Sequence, residues 1–327
     1  MTSIAFFNNK GGVGKTTLVY HLAHMFARMG YRALAVDLDP QANLTSAFFD
    51  DDLLQQIWNP DVWGQTVMKW IDPVLEGTGD IGEPVAVQTA GNLAVLAGDL
   101  GLSRFEDRLS RAWLEGFGGD PAALRATSAF HRLIQKAAAK HTFDLVLIDV
   151  GPNLGAINRA ALLSADYLVV PLAADMFSLQ GLRNLGPTLR GWREDWQGTV
   201  LRRATVSFPL PSGRMIPAGY VILQHAVRLD RPVRAYERWM ARIPEFFHKY
   251  VLDAALPLGD DTYRLGTLRN YRSLMPMAQE ARKPMFDLKA ADGAIGSHAA
   301  LVQTCAEDFQ RLAESIGSAC GLTKPVS

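Results

Sequence analysis

The first forty residues restrict this chain more than any other stretch. SIAFF (3–7) is apolar and runs straight into NNKGGVGKTTL (8–18). From Thr16 to about Met29, Leu18, Val19, Leu22, Ala23, Met25 and Phe26 recur at helical spacing, and Gly30 supplies a stop. RALAVD (32–37) reads as a second apolar strand ending in a carboxylate. Strand, glycine loop, helix and strand make one βαβ unit, which predicts parallel strands and a right-handed crossover.

The loop carries its own chemistry. Gly11, Gly12 and Gly14 let the backbone turn tightly and aim its N–H groups at phosphate oxygens. The helix that follows opens its positive end onto the same place. Lys15 is spaced to reach the β- and γ-phosphates, and the Thr16 hydroxyl to ligate Mg²⁺, with Val13 and Thr17 completing the cradle. A strict phosphate-binding loop reads G-x-x-x-x-G-K-[ST]. Here Asn9 stands at the first glycine, and a second lysine, Lys10, follows it.

Mg²⁺ takes octahedral oxygens and keeps several waters, so carboxylates should stand near it without caging it. FDLVLID (143–149) is a buried-strand pattern ending in Asp149, expected to hold a Mg²⁺-bound water. VDLDPQ places Asp37 and Asp39 at the end of the second strand. Asp39 is expected to orient an attacking water, and Asp37 to stand behind the metal's own ligands.

Further strands are predicted at Asn92–Ala97, Tyr167–Pro171 and Gly219–Leu223. Helices are predicted at Ser128–Lys140, Ala156–Leu163, Leu179–Trp192, Ala235–Tyr250 and His298–Ser315, with short helices in an irregular stretch over 50–92. The fold class is α/β: a doubly wound, mostly parallel sheet flanked by helices. It is expected as one domain with insertions at about 50–130 and 195–260, and its ligand at the carboxyl ends of the strands.

NKGGVGKTT, VDLDPQAN, FDLVLIDVGPNLG and YLVVPLAADMFSLQGL, in that order, resemble the ParA/MinD (Soj-like) deviant-Walker ATPases, the partitioning members above all. A weaker likeness returns over 267–294. The resemblance implies slow, partner-stimulated ATP hydrolysis with Mg²⁺. It implies a homodimer closed around nucleotide, in which the first lysine of K-G-G-x-G-K-[ST], here Lys10, reaches the partner's phosphates. Asn9 is then normal for the family. A lysine supplied in trans neutralises charge on the transferring phosphoryl group as an arginine finger does. One departure stands out: Gly151 replaces the first of two prolines that usually follow the strand-end aspartate.

The resemblance also implies non-specific DNA binding through basic residues in the C-terminal part. Net charge is zero, but residues 49–120 carry 13 acidic and 4 basic side chains, whereas residues 181–250 carry 12 basic and 5 acidic. Arg190, Arg193, Arg202, Arg203, Arg234, Arg238 and Arg242 are the DNA-binding candidates, with Arg238 and Arg242 sharing a helix face at i,i+4. Gln224 and His225, after GYVIL, are the adenine-side candidates. His21 and His24 have metal-pair spacing but no acid to complete a site, and read as packed or surface side chains. No apolar run is long enough to span a bilayer, and SIGSACGLTKPVS at the end is no basic amphipathic helix. The expectation is therefore no membrane and a cytoplasmic location, on the nucleoid if DNA is bound. Two alternatives are a like switch whose client is a protein assembly, and a metabolic P-loop ligase. VDLDPQAN and Lys10 argue against the second.

Overall fold

The computed structural model describes residues 1–59, 64–89, 91–223, 233–257, 259 and 261–323. Among them one eight-stranded sheet forms from β1 (Thr2–Phe6), β2 (Ala33–Asp37), β3 (Val87–Gln88), β4 (Leu93–Leu96), β5 (Leu145–Asp149), β6 (Tyr167–Leu172), β7 (Ile216–Leu223) and β8 (Arg264–Leu268). The order is β3-β4-β2-β5-β1-β6-β7-β8. All neighbours are parallel except the short β3–β4 pair at one edge.

The strands are apolar on both faces because helices cover both. Side chains alternate across the sheet. Val146 and Ile148 face one core and Leu145 and Leu147 the other, all fully buried. Burying each such side chain contributes about 1.5–3 kcal/mol relative to leaving it exposed. The first core is packed by α4 (Val67–Glu76), α5 (Glu106–Gly116), α6 (Pro121–Thr127), α7 (Ala129–Lys140), α8 (Ala156–Leu163) and α9 (Met176–Glu194). The second is packed by α1 (Lys15–Arg28), α2 (Asn43–Phe48), α3 (Asp51–Trp58) and the helices Leu274–Ala281 and Ser297–Ala319.

The strand register builds the functional edge. β5 lies between β2 and β1, with Asp149 opposite Asp37 on one side and Phe6 on the other. The chain therefore leaves β1 into the glycine loop beside two strands that end in acids. This is the crevice where open α/β sheets take ligands.

Most predicted elements stand within two residues of their expected bounds; β7 begins three residues before Gly219, the last helix runs four residues past Ser315, and three further regions differ. The helix expected from Leu179 begins at Met176, because the Asp175 carboxylate accepts the Ser178 N–H at 2.9 Å and caps it. The helix expected over Ala235–Tyr250 is broken: Val233–Met240 ends, Ala241 and Arg242 turn, and Ile243–Phe246 restarts into the wide turn Phe247–Leu252. Pro244 has no N–H to continue the first helix and sits in the opening turn of the second. The third difference is α2, α5, α6, β8 and the helix Leu274–Ala281, which have no counterpart among the predicted elements.

Candidate functional site

Asn8 pins the glycine loop at its start: its side-chain amide donates to the Pro171 carbonyl at 2.7 Å, and its Oδ1 accepts the Lys10 N–H at 3.0 Å. Asn9 lies over Gly181 of α9, where a Cβ would come within 2.8 Å of Asn9 Oδ1. That glycine makes room for a side chain where a strict Walker loop has none. Gly12 and Gly14 adopt φ of 69° and 88°, which other residues take only at a cost. Gly14 caps α1 with no side-chain hydrogen bond, so the first N–H groups of α1 are left for a ligand.

Lys15 opens α1 and is only 7% exposed. Burial pushes its pKa down, against the pull of the Asp149 and Asp39 charges. Its ammonium is 3.4 Å from the Lys10 carbonyl oxygen, folded inside the loop. The Lys10 side chain turns the other way, into an ion pair with Asp175, and is 27% exposed. The two lysines thus serve opposite sides of one loop.

Three acids meet this loop, and each has a different state. Asp37 is fully buried and satisfied: its carboxylate accepts the Thr45 N–H at 2.8 Å, the Thr45 hydroxyl at 2.7 Å and the Asp39 N–H at 3.2 Å. Burial pushes its pKa up to about 6, although those bonds pull it down. Its work is to shape the loop that carries Asp39. Asp39 accepts the Gln41 N–H at 3.0 Å and faces Gly151, where a Cβ would sit 3.4 Å from its Oδ1. Ala42, in the same loop, adopts a left-handed φ of 51°. Asp149 is fully buried, and neither carboxylate oxygen has a hydrogen-bond partner. Burial and then the Asp37 charge drive its pKa well above the usual carboxylate range, while the nearby Thr16 hydroxyl and Lys15 charge oppose the rise.

An orphaned buried carboxylate is costly unless something satisfies it. A hydrated Mg²⁺ does so, and Thr16 and Asp149 fit one. No cluster of three or more His, Cys, Asp or Glu side chains suited to a metal occurs among the described residues.

Beside the loop lies a largely apolar pocket of about 240 Å³, walled by Leu18, Leu223, Leu268, Asn270, Tyr271 and Phe309. Gly12, Val13, Gly14 and Thr17 close its loop side. Asp308 fixes the far wall, accepting the Tyr271 hydroxyl at 3.0 Å and pairing with Arg269 at 3.2 Å. Gln224 and His225 lie outside the described residues. The wall at 268–271 has one sequence signal, the weaker likeness over 267–294. A wider pocket of about 540 Å³ opens beyond Thr17, between Thr16, Asn43 and Arg282.

The histidines are packed, as expected. His21 Nε2 accepts the Met285 N–H at 3.1 Å and Nδ1 lies 2.7 Å from the Thr17 carbonyl, a pairing that requires the neutral ring with its proton on Nδ1. The arginine candidates divide. Arg190 donates to the Tyr250 carbonyl at 2.6 Å and Arg193 to the Met215 carbonyl at 2.7 Å, so both fasten the fold. Arg202, Arg203, Arg238 and Arg242 are exposed, and Arg203 also donates to the Phe117 carbonyl. The Arg234 side chain lies outside the described residues. Despite the helix break, Arg238 and Arg242 remain together, 5.1 and 5.7 Å from the Trp239 ring centre. No described helix is long and apolar enough to cross a membrane.

A family model described as an AAA domain matches residues 1–200. The chain is 34% identical over 186 residues to the chromosome-partitioning ATPase Soj of Thermus thermophilus, covering 57% of this chain and 60% of that one. It is 30% identical over 187 residues to the sporulation initiation inhibitor protein Soj of Bacillus subtilis, covering 57% and 64%. The likeness spans about half to two thirds of these curated relatives. Among solved structures, protein DIP2308 of Corynebacterium diphtheriae superposes with a TM-score of 0.72 at 25% identity over 98% of both chains. A McdA–ATP complex from Cyanothece gives 0.65 at 16% identity, covering 100% of this chain and 99% of that one, and shows the shared fold. With the glycine loop, its acids and the sheet order as described, the chain belongs to this AAA-domain family and resembles the Soj partitioning ATPases.

Proposed function

We propose that this chain is an ATPase and a dimerising switch: two copies close around ATP and Mg²⁺, and the closed pair binds duplex DNA without sequence preference. Hydrolysis is slow until a partner protein stimulates it, and it opens the pair. The observation that carries the reading is the division between the two loop lysines. Lys15 is buried in its own cradle, whereas Lys10 lies at the rim, part-exposed, beside Met176 and Phe177, which are 56% and 66% exposed. Phe177 lies 5.8 Å from the Lys10 ammonium. A basic group beside an exposed aromatic side chain at a ligand mouth suits a second protein surface.

ATP supplies the phosphoryl group, and Mg²⁺ offsets its charge. In this reading Lys15 and the N–H groups of Gly11 to Thr17 hold the phosphates of their own site. The Thr16 hydroxyl holds the metal directly, and Asp149 does so through water. Asp39 orients the water that attacks. Lys10 of each copy stabilises charge in the other's site, as cationic groups supplied in trans do in phosphoryl transfer. DNA contact falls to the exposed Arg202, Arg203, Arg238 and Arg242, whose phosphate contacts would add up over two copies and weaken with salt. The name of the T. thermophilus relative, a chromosome-partitioning ATPase, supports this.

The test is the size of the protein with ATP, with ADP and without nucleotide, each with and without duplex DNA. A dimer with ATP only, retained on DNA only in that state, is expected. A monomer under all conditions would sink the proposal. An ATP dimer with no affinity for DNA would leave the switch and point to a protein client. Changing Arg238 and Arg242 together to Ala should weaken the retained complex and flatten its salt dependence, and unchanged binding would exclude that patch.

A further inference from the structure

The segment from Gly98 to Glu106 braces both acid-bearing loops of the site. At its start, the Gly98 N–H donates to the Thr45 hydroxyl at 2.7 Å, and that hydroxyl donates to Asp37. Gly98 lies so close to Asp37 that a Cβ there would be 2.8 Å from the carboxyl carbon. At its end, Glu106 reaches the other loop. Oε1 accepts the Ala156 N–H at 2.6 Å and Oε2 the Ile157 N–H at 2.9 Å, so one carboxylate occupies the first turn of α8. A carboxylate in that position bonds two N–H groups that the helix cannot satisfy and meets the positive end of its dipole.

What Glu106 holds is the stretch between Asp149 and α8. Gly155 lies against it, where a Cβ would come within 2.7 Å of Oε1. From α8 the Asn158 side-chain amide donates back to the Gly151 carbonyl at 2.9 Å and the Asn153 carbonyl at 2.6 Å. Gly151 in turn faces Asp39. The path from Glu106 to Asp39 thus runs through hydrogen bonds to α8 and from Asn158 to Gly151, and ends on the close approach of Gly151 to Asp39. Its base is firm: Leu102 and Phe105 are fully buried, and Asp99, which caps the turn at Leu100–Phe105, accepts the Gly101 N–H and the Thr66 hydroxyl, both at 2.7 Å. A second contact locks α5 to α8, since Arg159 lies over the Trp113 ring at 4.2 Å.

We propose that Glu106 is a positioning residue for ATP hydrolysis, holding the loop from Val150 to Gly155 where Gly151 meets Asp39. It touches neither substrate nor metal; it acts through α8 and Asn158. Pro152 remains in the turn from Val150 to Gly155, and the stiffness that a proline at 151 would add is here supplied from outside, by a carboxylate on α5. This inference rests on the reading of Asp39 as the water-orienting acid.

The experiment measures kcat and KM for ATP, ADP affinity, and amide exchange at Ala156 and Ile157 in the full chain with Glu106→Gln, Glu106→Ala and, in parallel, Asp39→Ala. Glu106→Gln keeps the shape and one acceptor, so it remains informative if the alanine variant fails to fold. Both Glu106 variants should speed exchange at the two amides. They should lower kcat about tenfold or more, since small misplacements of reacting groups cost up to about a hundredfold, while leaving KM and ADP affinity within about twofold. Unchanged or raised kcat with faster exchange overturns the proposal. So does a loss of ADP affinity in step with kcat, which is what general damage produces. If Asp39→Ala turns over normally, the reading of the acids fails. If Asp39→Ala is inactive and Glu106→Gln is not slowed, only the present inference falls.

Discussion

Lys10 and Asp175 form an ion pair within one chain, from the glycine loop to the cap of α9. Burial alone would raise the Asp175 pKa, but the Lys10 bond and the Ser178 N–H hold it below the usual carboxylate range. Under the proposed function, a lysine so engaged must let go before it can serve a partner, and the contact would then oppose dimerisation. Asp175→Ser keeps an oxygen that can cap α9 and removes the lysine's partner. A partly exposed pair is worth up to about 1 kcal/mol, so the ATP-bound dimer should tighten by up to about fivefold. Sedimentation over a protein dilution series with ATP reads this directly. An unchanged dissociation constant would mean that Asp175 does not restrain Lys10.

Asp149 sets stability against function. Its folded pKa is raised above its unfolded value, so the ligand-free protein takes up a proton there on folding. The associated stability is present below about pH 4 and is lost as pH rises through the folded pKa. Asp149→Asn removes that loss. Without nucleotide the variant should melt higher than the parent at pH 8, with the gap closing toward pH 4. Its Mg²⁺-dependent gain in nucleotide affinity should vanish. A lower melting temperature at pH 8 would show that the carboxylate has a partner in the free protein.

His24 produces the opposite slope. Burial, helped by the neighbouring His21, lowers its pKa from 6.5 to about 4, and its Nε2 is buried without a partner. The unfolded chain therefore takes up the proton first. Stability from this group is present above about pH 6.5 and is lost as pH falls toward 4. The ring stacks on Phe48 at 5.3 Å, so phenylalanine fits the same contact. His24→Phe should lose less stability between pH 7 and pH 5 than the parent in urea unfolding. An identical pH dependence would place the titration elsewhere.

The phosphate loop and its acids were legible because each rests on a local pattern. A five-residue apolar strand, three glycines and a helical repeat declare themselves within thirty residues, and register then carries Asp149 to Asp37 and Phe6. Glu106, Asp175 and the pocket wall at Leu268–Tyr271 were not legible as parts of this site. Each meets the loop or α8 across fifty or more residues, and no periodicity encodes such a pairing. Arg190 and Arg193 misled for a related reason. A charge count over 181–250 treats every arginine as free, whereas these two lie half-buried and donate to main-chain carbonyls. The break at Arg242 was visible in Pro244, but the apolar and basic spacing around it favoured one long helix.

Gly186 and Gly191, five residues apart on α9, make a paired test of how tightly that helix is held. At Gly186 an added Cβ would lie 1.7 Å from the Tyr250 carbonyl oxygen and 2.9 Å from Val251 Cα, both main chain. No rotamer change relieves such a clash, so Gly186→Ala must push α9 away from Phe247–Leu252. That movement would disturb the bond from Arg190 to Tyr250, and α9 begins at Asp175, the partner of Lys10. Overpacking of this kind costs about 1–3 kcal/mol, and the backbone contact argues for the upper end. At Gly191 an added Cβ meets nothing within 4 Å, and alanine is about 1 kcal/mol better than glycine inside a helix. Gly191→Ala should therefore be neutral or slightly stabilising in chemical denaturation, with ATP turnover unchanged, while Gly186→Ala should be clearly destabilised. Equal effects at the two positions would mean that α9 does not press on Tyr250 in solution.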